Sequence, residues 1–248
     1  MSLSYKALLF DLSGVLYEGD WLIPGAVDAV KQARVRGLVL RFVTNTATQT
    51  HQTILAKLQR MGIPVEPDEL ITAPMAARQY LQQAGLRPYC LVHQAIKHEF
   101  DDLDQHNPNA VLLGDARDDL NYSNLNRAFQ LCQAGHPLIA IGYNKYFKDE
   151  NGLNLDAGAF VHALEWAANT QAIIMGKPSA DFFAEVVATT PFSANECLML
   201  GDDLMGDVVG ALDAGLQACL VRTGKFRPSD ETVLPPQARI IDSVARLF

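Results

Sequence analysis

The chain has 248 residues, of which 49% are hydrophobic and 19% charged, and it carries a net charge of -8. That composition fits one large or two modest globular domains. No apolar run approaches the ~20 residues needed to span a bilayer. The opening residues have no basic segment leading into an apolar one, so no secretory leader is expected. The acidic balance disfavours non-specific nucleic-acid binding, which needs a basic surface. It also means that any site handling an anion must bring its own positive charge, from a metal, a lysine or backbone amides. The cysteines, Cys90, Cys132, Cys197 and Cys219, share no metal-ligand spacing and read as reduced core residues of a cytoplasmic protein.

The first strong signal is Ala7-Leu8-Leu9-Phe10, a short apolar run ending on Asp11 and read as a buried strand. A helix is predicted over residues 24–36, with Pro24 in its first turn and Gly37 past its end. Residues 39–43 form a second strand leading to Thr44. A second helix follows over 48–61, stopped by Gly62. This β-α-β-α rhythm predicts a parallel sheet with right-handed crossovers. Strands are expected at 89–92, 110–113 and 138–141, with helical segments between the first two and over 123–134. Residues 143–158 are rich in Asn, Lys, Asp and Gly and read as a loop before a helix over 160–168. Three further strands are expected at 172–175, 197–200 and 218–221. The resulting expectation is a discontinuous core, residues 1–78 and 170–248, with a smaller α/β domain inserted at 79–169.

Four polar residues each follow a predicted strand: Asp11, Thr44, Lys177 and Asp202. In open α/β sheets, ligands bind beyond the carboxyl ends of strands, so such residues can converge on one pocket. Phosphoryl transfer explains the mixture. A carboxylate attacking a phosphate dianion meets repulsion, which a divalent cation held by Asp11, Asp202 and a backbone carbonyl offsets. Lys177 neutralises a phosphoryl oxygen as a point charge. The Thr44 hydroxyl and nearby backbone N–H groups donate to the others, and Gly14 lets the backbone come close.

The segments Asp11-Leu12-Ser13-Gly14-Val15-Leu16-Tyr17, Thr44-Asn45, Gly176-Lys177-Pro178 and Gly201-Asp202-Asp203 with Asp207 together resemble the haloacid dehalogenase superfamily. The motifs occur in order over nearly the whole chain, and the insertion resembles the type IIA cap of the NagD-like branch. The resemblance implies a Rossmann-like parallel core and a phosphatase that works through an aspartyl-phosphate and uses Mg2+. It implies Asp11 as nucleophile and metal ligand, Ser13 as a ligand through its carbonyl, and Asp202 as the third ligand. Asp11, Leu12, Ser13, Gly14, Thr44, Asn45 and Lys177 would surround the phosphoryl group. Asp207 would hold metal-bound water or orient Lys177. Asp203 would support the site or simply cap the following helix. A cytoplasmic homodimer is also implied.

One position departs from the pattern. Most family phosphatases carry an aspartate two residues after the nucleophile, where this chain has Ser13. That aspartate protonates the leaving group and then activates water, work worth about 10²–10⁴ in rate. Two explanations stay open. The substrate is a phosphoramidate, such as a phosphorylated His or Lys side chain, or pyrophosphate, whose leaving group needs less help. Otherwise the protein is a weak general phosphomonoesterase, or a phosphoryl-ligand binding protein with reduced catalysis. A carbon–halogen hydrolase would share the aspartate nucleophile but has no use for the acidic Gly201-Asp202-Asp203 motif.

In the insertion, the turn at 155–160 is expected to select substrate, with Asp156 alternatively capping the next helix. Tyr143, Lys145 and Tyr146 are expected in a surface loop, the six histidines as isolated residues, and Trp21 and Trp166 as packing residues. Lys225 would add positive potential near the site or lie in a solvated loop, and Asp101, Asp102, Asp118 and Asp119 are read as solvated charges.

Overall fold

The computed structural model describes residues 5–149 and 152–248. The first strand, β1 (Ala7–Asp11), is buried along its whole length, as its unbroken apolar run requires. It is followed by a short antiparallel hairpin, β2 (Tyr17–Glu18) and β3 (Trp21–Leu22). Helix α1 (Ala26–Val35) buries Ala26, Ala29, Val30 and Ala33, one stripe at helical spacing. Then come β4 (Val39–Thr44), α2 (His51–Arg60) and β5 (Leu70–Thr72). Helix α3 (Ala73–Gln83) starts at Thr72, whose hydroxyl accepts from Met75 N–H at 3.2 Å.

The middle of the chain supplies β6 (Pro88–Leu91), β7 (Ala110–Leu113), α4 (Tyr122–Gln133) and β8 (Leu138–Ala140). Where sequence composition reads as a loop, β9 (Tyr146–Asp149) and β10 (Gly152–Leu155) pair antiparallel, with Tyr146 opposite Leu155. This hairpin forms a separate two-stranded sheet, in a stretch whose Asn, Lys, Asp and Gly residues read as a loop. Helix α5 (Ala157–Ala168) begins three residues earlier than the sequence predicts, capped by Asp156, which accepts from Ala157 N–H at 2.7 Å. The chain ends through β11 (Ile173–Ile174), α6 (Ala180–Ala188), β12 (Cys197–Gly201), α7 (Gly210–Asp213), β13 (Gln217–Val221) and β14 (Arg239–Ile241).

The chain forms two compact units: Met1–Thr44, His51–Ile71 and Lys177–Phe248 make one, and Asn45–Thr50 with Thr72–Gly176 make the other. The first contains a six-stranded sheet in the order β14-β13-β12-β1-β4-β5. Strand β1 pairs in parallel with both β4 and β12, and β12 with β13. Its core includes Leu8, Phe10, Phe42, Leu58, Leu198 and Leu200, with Phe10 and Phe42 stacked at 5.6 Å across adjacent strands. The second unit contains a four-stranded parallel sheet, β11-β8-β7-β6, over its own core of Val111, Leu113, Ala128, Leu138, Ala140, Val161 and neighbours. This is the mixed α/β architecture expected from sequence, a Rossmann-like parallel core with a smaller inserted α/β cap domain.

Three sequence expectations need correction. The strand preceding Lys177 shrinks to Ile173–Ile174, and it belongs to the four-stranded sheet, not to the sheet that carries Asp11. Trp21 and Trp166 do not pack: they are 82% and 83% exposed. The segments β5 and β14, too short for a periodic signal, were not anticipated and complete the two sides of the larger sheet. Among the described residues, no helix is long and apolar enough to cross a membrane.

Because Phe42 is fully buried against Phe10, Phe42→Ala should lower the unfolding free energy by about 3–5 kcal/mol, measured by urea denaturation. A loss under about 1 kcal/mol would mean that this stack is not part of the stabilising core.

Candidate active site

The site is built at the carboxyl ends of three adjacent strands. The order β12-β1-β4 puts the chain's switch in direction around β1, where an open parallel sheet leaves a crevice. Asp11 is the last residue of β1, Thr44 the last of β4, and Asp202 follows Gly201 at the end of β12. All three are buried.

Lys177 reaches the same place from the segment before α6. Its ammonium donates to Asp11 Oδ1 and forms an ion pair with Asp207 Oδ1 at 2.6 Å. Asp11, Asp202 and Asp207 each offer a carboxylate oxygen within 4.8 Å of the others. Three carboxylates thus face one ammonium in a buried pocket, leaving two negative charges uncompensated among these four groups. Burial pushes the Asp11 carboxyl up, a tendency opposed by Lys177 and reinforced by Asp202. Burial likewise raises Asp202, and it pushes Asp207 up to about 6. For Lys177, burial works against the charge, but Asp11 and Asp207 outweigh it and hold the ammonium protonated well above its ordinary range.

Glycine makes this crowding sterically feasible. A Cβ on Gly14 would stand 2.0 Å from Asp202 Oδ2, and one on Gly224 would also stand 2.0 Å from it. Both glycines have positive φ, 87° and 62°. A Cβ on Gly201 would meet the Asp207 Cβ at 2.1 Å. The Asp202 carboxylate therefore fills space that side chains would otherwise occupy, and Asp207 packs directly on the β12 terminus. The donor set is hard, anionic and all oxygen, and it carries surplus negative charge. It fits a divalent cation.

Asp203 precedes the wide helical turn Leu204–Val209, and Asp207 lies within it. Asp203 caps that turn, accepting from Met205 N–H at 3.1 Å and Gly206 N–H at 2.8 Å, and pairs with Lys225 Nζ at 3.1 Å. Asp207 is turned inward and is 1% exposed; its Oδ2 accepts from Asp203 N–H at 3.2 Å. The resemblance gives Asp207 the task of holding metal-bound water or orienting Lys177; the structure pairs it with Lys177 and sets it within reach of the same acidic cluster. Its spacing of five residues from Asp202 gives this away only when the turn is π-like, with Val208 N–H bonding to the Asp203 carbonyl.

The other expected residues divide. Leu12 is buried and Ser13 is exposed. The Gly14 N–H donates to the Tyr17 carbonyl at 2.7 Å and is already engaged; the observed role of Gly14 is to make room for Asp202. Asn45 belongs to the second unit, where it lines a cavity of about 220 Å³ with Thr48, Asp115, Arg117, Asn144 and Asp156. Asp115 is buried there and pairs with Arg117 Nη2 at 3.0 Å. Sequence reading passed over it for the neighbouring Asp118 and Asp119, although Gly114-Asp115 follows a strand just as Gly201-Asp202 does.

Comparison with known proteins adds the following. Residues 8–106 match the haloacid dehalogenase-like hydrolase family model, and residues 174–247 match the HAD-hydrolase-like model. The chain is 43% identical over 233 residues to phospholysine phosphohistidine inorganic pyrophosphate phosphatase of Xenopus laevis, covering 91% of this chain and 86% of the relative. It is 42% identical over 231 residues to human haloacid dehalogenase-like hydrolase domain-containing protein 2, covering 93% and 89%. In structure it resembles NagD of E. coli K-12, with a TM-score of 0.87 at 24% identity over 99% of each chain.

Since an added methyl at position 14 would overlap the Asp202 carboxylate, Gly14→Ala should weaken divalent-cation affinity by about 10–100-fold while the fold persists. Titration calorimetry beside circular dichroism checks this; an unchanged affinity would show that the carboxylate has slack.

Proposed function

Because the chain belongs to the haloacid dehalogenase-like hydrolases, as a phosphatase of that family, we propose that it is a magnesium-dependent phosphohydrolase in which Asp11 becomes transiently phosphorylated. The observation that carries this reading is the buried convergence of Asp11 with Lys177, Asp202 and Asp207.

In this reading Asp11 and Asp202 would hold Mg2+, with the Ser13 carbonyl as a further ligand. Asp207 either shares that task or fixes Lys177. The hard oxygen donors support magnesium over softer ions. When bound, the cation supplies the positive charge that lets a carboxylate approach a phosphate dianion. A carboxylate oxygen of Asp11 attacks phosphorus and forms an O–P bond while the bond to the leaving group breaks, its electron pair departing with that group. Lys177 stays protonated and offsets charge on the phosphoryl oxygens, and Thr44, Asn45 and the backbone near Leu12 bind the others. Water then attacks the same phosphorus, releasing inorganic phosphate and restoring Asp11.

Ser13 directs the choice of substrate. A serine hydroxyl is too weak an acid to protonate a departing alkoxide, so the chain suits leaving groups that depart with less help. An imidazole, an amine protonated in solution and phosphate are such groups. We therefore assign P–N bonds of phosphorylated His or Lys, and pyrophosphate, as the substrate class. Similarity to relatives named for phospholysine, phosphohistidine and inorganic pyrophosphate supports this assignment. The net charge of -8 supports a small or protein-borne phosphoryl group over nucleic acid. Four unpaired cysteines, three of them buried, support a reducing, cytoplasmic setting.

Turnover of phosphohistidine, phospholysine, pyrophosphate, a sugar phosphate and an aryl phosphate, with Mg2+ and with chelator, tests the assignment. Activity should depend on Mg2+, favour the first three substrates, and vanish in Asp11→Asn. Magnesium-independent turnover, or an active Asp11→Asn, would overturn the mechanism. Ser13→Asp should raise kcat on an alkyl phosphate by about 10²-fold and gain much less on imidodiphosphate. Equal gains on both would remove Ser13 as the determinant of substrate class.

A further inference from the structure

The acidic cluster poses a mechanical problem. Asp11 and Asp202 leave different strands, and like charges at this spacing push apart. Adjacent strand ends hold their main chains, but not their carboxylates. The segment after β13 reaches both the loop that follows Asp11 and the Asp202 carboxylate. The Thr223 hydroxyl donates to the Gly14 carbonyl, 209 residues away in sequence and in the loop that follows the nucleophile. Two residues on, the Lys225 N–H donates to Asp202 Oδ2 at 2.7 Å. Between them, Gly224 has no side chain, and a Cβ there would lie 2.5 Å from the Gly14 Cα, so the two backbones are in direct contact. The Lys225 ammonium is meanwhile drawn to Asp203.

We propose that Thr223-Gly224-Lys225 is a positioning clasp that ties the loop after β1 to the carboxylate after β12 and thereby sets the acidic cluster for cation binding. Thr223 acts through Gly14, whose carbonyl its hydroxyl holds. Without its hydroxyl, the Gly14 carbonyl loses a partner in a partly buried place, and the nucleophile loop is free to draw away from Asp202. This inference rests on the metal-dependent reading above, but it concerns an element that the reading does not require.

The test uses the full chain and Mg2+ alone as the probe. Thr223→Val removes the donor at nearly constant volume; Thr223→Ser keeps it. Titration calorimetry should show Mg2+ affinity reduced by about 10–100-fold in Thr223→Val and restored to near wild type in Thr223→Ser. Thermal melting without metal should stay close to wild type for both, separating positioning from folding. With saturating Mg2+, Thr223→Val should recover most of its kcat, which a directly catalytic residue would not allow. Should Thr223→Val fail to fold, Thr223→Ala removes the same hydroxyl and carries the same expectation. Wild-type affinity in a folded variant without the hydroxyl overturns the clasp and leaves the phosphatase reading standing. If the wild-type chain itself binds no Mg2+, both fall.

Discussion

Everything at this site follows from placing three carboxylates and one ammonium where water cannot easily reach them. Such a cluster is costly by itself. Desolvation penalises each charge, and one lysine cannot balance three acids. A fold keeps this arrangement only if something else is expected in the pocket, or if the backbone around it is over-determined. Here both conditions are met: the residual charge matches a divalent cation, and glycine backbones enclose the acids.

The parallel sheet makes the convergence cheap to build. Adjacent parallel strands lie ~4.8 Å apart. Residues one step past neighbouring strand ends are therefore already within interaction distance. β1, β12 and β13 contribute in turn an acid, an acid and a backbone tie, and β4 adds a buried hydroxyl. Lys177 enters from another direction, after the edge strand of the four-stranded sheet, and is fixed at its tip by Asp11 and Asp207. The pocket thus depends on the sheet for its acids and on ion pairing for its base.

Much of this could be read from residues alone, because the informative positions follow short, wholly apolar runs. Asp11 and Asp202 are visible in that way, and Thr44 ends a run that alternates. Lys177 was legible from its Gly-Lys-Pro context, while the strand before it was placed in the wrong sheet, since two apolar residues do not say which neighbours they will pair with. The hairpin β9–β10 was lost in a stretch dominated by Asn, Lys, Asp and Gly, a composition that reads as a loop. The exposure of Trp21 and Trp166 could not be foreseen, because an aromatic residue in a sequence does not announce whether a partner surface exists. The division of labour between Asp203 and Asp207 depended on a wide turn, which residue spacing alone does not specify.

Gly14 and Gly224 lie against each other beside the carboxylate of Asp202, and that has a bearing on descent as well as on chemistry. The volume a methyl would need at either position is taken by the acid itself. Exchange of Asp202 for something smaller would open that volume but would release neither glycine: both keep a positive φ, and a Cβ on Gly224 would still lie 2.5 Å from the Gly14 Cα. The two glycines answer to the path of the chain as well as to the acid. The notch would therefore outlast the loss of Asp202, and a lineage that lost the acid would stand one substitution from regaining it.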